Sequence, residues 1–375
     1  MRIGFDVAQT CVEKAGCGWY ADALIREMAR IAPHHSYTLY HQFDRWINED
    51  TSEGTALPAG VAENPFRGMA PGRATEAWDR VRAGQPLFGR PEIVHANSHQ
   101  APKINGASLV FTVYDVSFWM VPEYATEANR LACQDGILRA LHNADGFVFI
   151  SQSSKDEFDR VLPNWLDTNR KPWAVTPLGP KSRTVAVTRP KVRDYWLAVG
   201  SLEPRKNYET LLDAMEIYWE QSPRKLSLQI AGGQGWKSER LKTRIESLRR
   251  RGIVNYLGYA PEENMPGLYM GAEALIFPSW YEGFGLPVIE AMSLGCPVIA
   301  SDRASLREVT GNAALPIDPS RPMDIAQSML SLEADVELQS RLSRASRDRA
   351  LGFTWESTAR ETLELYERVL ARNPN

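Results

Sequence analysis

The chain has 375 residues, room for two or three domains of ordinary size, and its 43% hydrophobic content is ample for buried cores. A formal net charge of −3 excludes the strong basic excess of a nucleic-acid-binding protein, while leaving room for a local basic patch at a membrane. Cys11, Cys17, Cys133 and Cys296 form neither a CxxC pair nor a metal spacing, so free thiols in a reducing, cytoplasmic compartment are expected; the opening residues read as a strand rather than a leader, and no apolar run reaches the length of a spanning helix.

Residues 3–7 predict a first buried strand, and Gly16-Cys17-Gly18-Trp19-Tyr20 a glycine turn feeding an amphipathic helix over 21–31. Taken alone, Gly16 and Gly18 are explained by a strand-to-helix turn. Residues 37–40 predict a second strand. Between 45 and 90 the regular pattern is lost: Pro- and Gly-rich pieces alternate with Trp46, Phe66, Trp78 and Phe88, and Arg67, Arg73, Arg80, Arg82 and Arg90 gather there. Such a segment suits an ordinary surface with anchoring aromatics, or contact with anionic headgroups at the inner membrane or with a lipid-linked molecule. Strands follow over 93–95 and 109–113, the second leading into Tyr114-Asp115-Val116-Ser117-Phe118. At the end of a parallel strand Asp115 can receive a substrate hydroxyl or close an Asx turn, and the two roles are compatible. A helix over 127–143, a strand over 146–150, a helix opening at Ser151 and a strand and turn over 175–179 complete this half. Residues 181–193, rich in Lys, Arg, Thr and Pro, read as a linker.

The second half opens with a strand over 195–199 and the segment Gly200-Ser201-Leu202-Glu203-Pro204-Arg205-Lys206-Asn207. Arg205 and Lys206 fall at a helix start, where cations oppose the helix dipole, so phosphate recognition explains them better than a solvated pair does. A strand over 226–230 ends at Gly232, a basic helix covers 241–251, and a strand over 254–258 precedes Tyr259. The run 277–302, FPSWYEGFGLPVIEAMSLGCPVIASD, then reads as the end of a strand, a Gly-rich loop, a helix from Leu286-Pro287 to Gly295, and another strand over 297–300. In an open parallel sheet that loop and helix start lie at the carboxyl end of the strands, where backbone N–H groups favour an anion such as phosphate. Glu282 and Glu290 bracket the loop. They serve sugar or ribose hydroxyls of one ligand, or they are solvated charges, and spacing alone favours the second. Helices over 324–332, 337–349 and from a Thr354 cap to about 371 close the chain.

The run from Glu282-Gly283-Phe284-Gly285-Leu286-Pro287 through Glu290-Ala291, with Gly295-Cys296-Pro297-Val298-Ile299-Ala300-Ser301 after it, resembles the E-x7-E block of the retaining family-4 glycosyltransferases (glycosyl transferases group 1). The resemblance is tight over 195–302 and looser before 150. It implies the α/β GT-B fold: two Rossmann-like domains with parallel sheets facing a central cleft, an acceptor-binding domain over 1–180, a linker over 181–193, a nucleotide-sugar-binding domain over 194–352, and a final helix over 353–375 that crosses back to the first domain. It implies a donor site in which Arg205 and Lys206 hold the pyrophosphate, Glu282 the hexose and Glu290 the ribose. Gly16, Gly18, Gly200, Gly232, Tyr259, Gly283, Phe284, Gly285 and Leu286 complete that site. Asp115 and Tyr114 are implied on the acceptor side. Two departures stand out: Trp19 replaces a common arginine, and Tyr114 a histidine that in many relatives contacts the transferred sugar. The expected activity is retaining, metal-independent transfer of a hexose to a glycan or lipid-linked acceptor in bacterial surface-polysaccharide synthesis, without a cofactor. GDP-mannose is the favoured donor and UDP-sugars come second. The rivals are a sugar-nucleotide epimerase of the same fold and a catalytically silent sugar-nucleotide-binding subunit.

Overall fold

The computed structural model describes residues 1–12, 14, 16–58, 60–181 and 193–372. The chain divides into two units, Met1–Leu178 with Thr354–Asn375, and Gly179–Phe353. Both are parallel sheets wrapped by helices. Most of the predicted linker, residues 182–192, lies outside the described residues. Its first residue, Lys181, belongs to the second unit, where its ammonium stands 3.3 Å from Glu290 and 3.4 Å from Glu262. Phe353 also joins that unit, meeting the ring of Phe284 edge-on at 5.8 Å.

The first unit contains β1 (Arg2–Asp6), β2 (Ser36–Tyr40), β3 (Ala62–Glu63), β4 (Ile93–Ala96), β5 (Ser108–Val113), β6 (Gly146–Phe149) and β7 (Trp173–Val175). Their spatial order is β3-β2-β1-β4-β5-β6-β7, with every pair parallel. Central strands of such a sheet are covered on both faces, which is why β4 and β5 are buried at every position. The helix Trp355–Arg372 packs on this unit, against the helix Gly16–Ile31 and strands β5 to β7. Thr354 caps it, its Oγ1 accepting from the Ser357 amide at 3.1 Å. Tyr366 on its buried face is hydrogen-bonded to Nδ1 of His95 at 2.6 Å.

The second unit contains β8 (Tyr195–Val199), β9 (Ser227–Ala231), β10 (Val254–Gly258), β11 (Ala272–Phe277), β12 (Val298–Ser301) and β13 (Leu315–Ile317), ordered β10-β9-β8-β11-β12-β13 and again all parallel. Trp196, Leu228, Ile230, Ile276 and Ile299 join Leu211, Met215 and Tyr218 in its core. In both sheets the chain reverses its direction of winding between two central strands, β1 and β4 in one and β8 and β11 in the other. Crevices for ligands open at the carboxyl ends of strands at such points.

Three features depart from the sequence expectation. The helix predicted over 21–31 begins at Gly16, so Gly16 and Gly18 sit in its first turn and not in a preceding loop. The segment 45–90, expected to lack pattern, contains β3 and the helix Pro71–Arg82, and Phe66 and Trp78 are fully buried in the core instead of lying at a surface. The helix Ala304–Thr310 and strand β13 were not foreseen. Among the described residues, no helix is long and apolar enough to cross a membrane.

Candidate active site

The site in the second unit is built from the chain that follows β8, β9 and β11. After β8 the backbone turns at Gly200, whose φ of 141° and contact with the Lys206 stem both disfavour a side chain; an added Cβ would sit 3.1 Å from Lys206 Cε. Gly232, after β9, lies so close that a Cβ there would be 2.0 Å from the Gly200 carbonyl oxygen. The short turn Pro204–Lys206 carries the two cations. Asn207 then locks the turn to the neighbouring loops, its Nδ2 donating to the carbonyls of Pro278 at 3.0 Å and Pro319 at 2.7 Å. The Trp280 amide donates to the Arg205 carbonyl at 2.9 Å, so the loops after β8 and β11 are tied together by backbone as well.

Glu282 is the centre of this arrangement. Only 7% exposed, its carboxylate accepts from Arg205 Nη1 at 2.6 Å on one oxygen and from Lys206 Nζ at 2.6 Å on the other. Arg205 also donates to the Tyr281 carbonyl at 2.8 Å and to Glu203 Oε1 at 2.6 Å. Ser305 Oγ fixes the backbone of Glu282 by donating to its carbonyl at 2.7 Å. Burial by itself would raise the Glu282 carboxyl, but the adjacent guanidinium and ammonium hold it at about 2. The Lys206 ammonium lies 4.9 Å from the centre of the Phe277 ring; burial lowers its pKa more than Glu282 restores it. By sequence, Arg205 and Lys206 are expected to be cations open to phosphate. Both are instead already engaged with Glu282, and the partner Glu203 went unnoticed, although its two-residue spacing from Arg205 was visible.

Gly283, Phe284 and Gly285 lead into the helix Leu286–Ser293, with Pro287 in its first turn. Gly285 adopts φ 111°, a conformation that strains any residue with a side chain, and a Cβ there would lie 2.7 Å from Leu306 Cδ2. Phe284 packs inward on Phe353, and Leu286 is half-buried. Glu290, on the helix, is buried in a separate environment: the Tyr269 hydroxyl donates to it at 2.8 Å and Lys181 stands on the other oxygen. Here burial dominates, and the carboxyl is raised despite Lys181. The solvated-charge alternative therefore fails for both glutamates, and their environments push them in opposite directions. Tyr259, just beyond β10, is half exposed and lines a cavity of about 530 Å³ with Tyr195, Leu257 and Asn264.

In the first unit, Gly16 faces open space, whereas Gly18 backs onto the Gln9 carbonyl, which a Cβ would approach to 2.7 Å. Next to Trp19, in the position expected to lack a cation, Lys14 Nζ stands 5.1 Å from the ring. Asp115 closes an Asx turn by accepting from the Ser117 amide at 2.8 Å. Tyr114 is buried with its hydroxyl donating to the Asn97 carbonyl at 3.0 Å, so this phenol props the end of β4 and its proton is not available to a substrate. Asp6, at the end of β1, was missed altogether: it accepts from the amides of Ala8 and Asn97 at 3.0 Å each and from Ser98 Oγ at 2.5 Å, and burial raises it to about 6.

Two all-parallel Rossmann-like units, the second carrying a glycine loop, a helix start and paired cations on a buried glutamate, define an α/β protein of the GT-B glycosyltransferase class. Sucrose-phosphate synthase from Thermosynechococcus elongatus shares this fold, with a TM-score of 0.71 over 99% of this chain and 100% of that one at 21% identity. Residues 185–349 match the family described as Glycosyl transferases group 1. The chain is 32% identical over 269 residues to O-antigen chain mannosyltransferase B of Escherichia coli, covering 69% of this chain and 70% of that protein. It is 33% identical over 180 residues to mannosylfructose-phosphate synthase of Agrobacterium fabrum, covering 46% of this chain and 40% of that enzyme. The chain belongs to the glycosyl transferases group 1 family.

Proposed function

We propose that this glycosyltransferase moves mannose from GDP-mannose to a glycan or lipid-linked acceptor in bacterial polysaccharide synthesis, with retention of configuration and without a metal. The observation that carries the reading is the convergence of Arg205, Lys206 and the Gly283–Gly285 loop on Glu282. The similarity to an O-antigen chain mannosyltransferase supports mannose as the sugar. When donor binds, its diphosphate takes hydrogen bonds from Arg205 and Lys206 together with the start of the helix Leu286–Ser293, and Glu282 turns to the sugar hydroxyls. Glu290 receives the ribose. As the bond from the anomeric carbon to the phosphate oxygen breaks, its electron pair goes to the diphosphate. The acceptor oxygen forms the new bond on the same face and its proton passes to the departing phosphate. Arg205 and Lys206 stabilise the charge that develops there. Incubation with GDP-mannose, UDP-glucose, UDP-N-acetylglucosamine and ADP-glucose tests the reading: slow hydrolysis of GDP-mannose alone, unchanged by a chelator, is expected. Turnover of a UDP-sugar in its place refutes the donor, and binding without any turnover indicates a silent subunit.

A further inference from the structure

We propose that His99 contacts the acceptor in the first unit: its imidazole accepts a hydrogen bond from a hydroxyl of the acceptor sugar other than the reacting one. The proposal rests on the glycosyl-transfer reading above. His99 follows β4, beside the crevice where the first sheet reverses its winding. Four observations single it out. Its backbone is left-handed, with φ of 56°, an unusual state for a residue with a Cβ. Its Nδ1 is buried and has no hydrogen-bond partner among the described residues, although the residue as a whole is partly exposed. Its ring lies 5.6 Å from that of Tyr114, whose hydroxyl is itself held by the Asn97 carbonyl. Gly136, on the helix Glu127–Asn143, makes room for it, since a Cβ there would stand 2.4 Å from the His99 carbonyl oxygen.

The residues just before it are equally constrained, because Asp6 accepts from the Asn97 amide and from Ser98 Oγ. A strained backbone with an unsatisfied ring nitrogen persists only where the surroundings over-determine it, and such residues gather at functional sites. The titratable groups around it are Asp115 and Tyr114 from the chain after β5, with Cys133 and Cys17 alongside Asp115 from the helices Glu127–Asn143 and Gly16–Ile31. Burial lowers the imidazole from its ordinary value more than Asp115 raises it. The ring is therefore neutral at pH 7 and able to accept a hydrogen bond.

The test compares wild-type protein with His99→Asn, which tolerates the left-handed backbone, and His99→Ala, using methyl α-mannoside as the acceptor probe. Removing the acceptor contact should raise the KM for the mannoside about 10-fold in His99→Ala. The stabilisation of each protein by GDP should stay unchanged, which also certifies folding. The wild-type rate should fall with acid below pH 6.5, and this limb should vanish in His99→Asn. With the six histidines ¹⁵N-labelled, the resonance lost in His99→Asn should shift when the mannoside is added. An unchanged KM and acid limb in the variants, or a His99 resonance unmoved by the mannoside while GDP binds normally, overturns the assignment. Absence of any nucleotide binding by the wild type overturns the glycosyl-transfer reading itself.

Discussion

Arg205→Ala is the substitution that probes the cluster most sharply, because it acts on stability and turnover by separable routes. Among the interactions it removes are the hydrogen bonds to Glu282, Glu203 and the Tyr281 carbonyl. Lys206 still faces Glu282, but Glu203, whose side chain is 2% exposed, is left as a buried carboxylate without its guanidinium. Breaking a buried pair in this way costs roughly 3–5 kcal/mol, and the 22% exposure of the Arg205 side chain reduces this to about 2–4 kcal/mol. For a unit of this size that corresponds to a Tm lower by roughly 5–15 °C. Arg205→Ala with Glu203→Gln removes the orphaned charge and should recover at least about half of the loss, while turnover stays down by about 100-fold because the leaving group has lost its guanidinium. Scanning fluorimetry and donor turnover on the single and double variants measure the two effects. A single variant that melts within 1 °C of wild type, or a double variant that regains turnover along with stability, refutes the reasoning.

The depressed Glu282 carboxyl gives a pH prediction. With a folded value of about 2 against 4.5 unfolded, the unfolded chain binds the extra proton, so stability present above pH 4.5 is lost as pH falls towards 2. Up to about 3 kcal/mol is involved, and Glu282→Gln should flatten that part of the stability curve measured by urea titration. Gly232→Ala should destabilise the second unit by roughly 1–3 kcal/mol, since the new methyl meets backbone and not a movable side chain, and chemical denaturation checks this. Glu290→Gln keeps an acceptor for Tyr269 and removes a carboxyl already raised by burial. Its Tm should stay within about 2 °C of wild type while GDP affinity drops roughly 10-fold by calorimetry.

How much of this was legible in the sequence depends on how local each signal is. Strands such as β5 and β11 are buried at every position, and the apolar runs 109–111 and 274–277 within them stand out. The helix Pro71–Arg82 hid because only Ala74, Trp78 and Val81 are buried on it, a stripe too thin to notice among prolines and arginines. The loop around Glu282 was recognisable because its glycines, proline and glutamates form one contiguous block. What Glu282 touches was not, because Arg205 and Lys206 are 77 and 76 positions away in the chain and meet it only through the sheet. The same holds for Asp6, which reaches across 91 and 92 positions to Asn97 and Ser98, and for Lys181, whose role beside Glu290 sat inside a stretch that composition marked as linker. Tyr114 shows the same limit: a phenol after a strand reads as a candidate contact, whereas its burial against Tyr20 and His99 is a property of the folded chain alone.

The proposed role of Arg205 and Lys206 is recognition of a diphosphate by the second unit. Calorimetric titration of GDP and GMP into the wild-type protein measures it most directly. On the proposed reading those side chains engage the second phosphate, so GDP should bind at least about 10-fold more tightly than GMP, with the difference abolished in Lys206→Met. Equal affinities for the two nucleotides, or a preference for GDP that survives in Lys206→Met, would contradict the account.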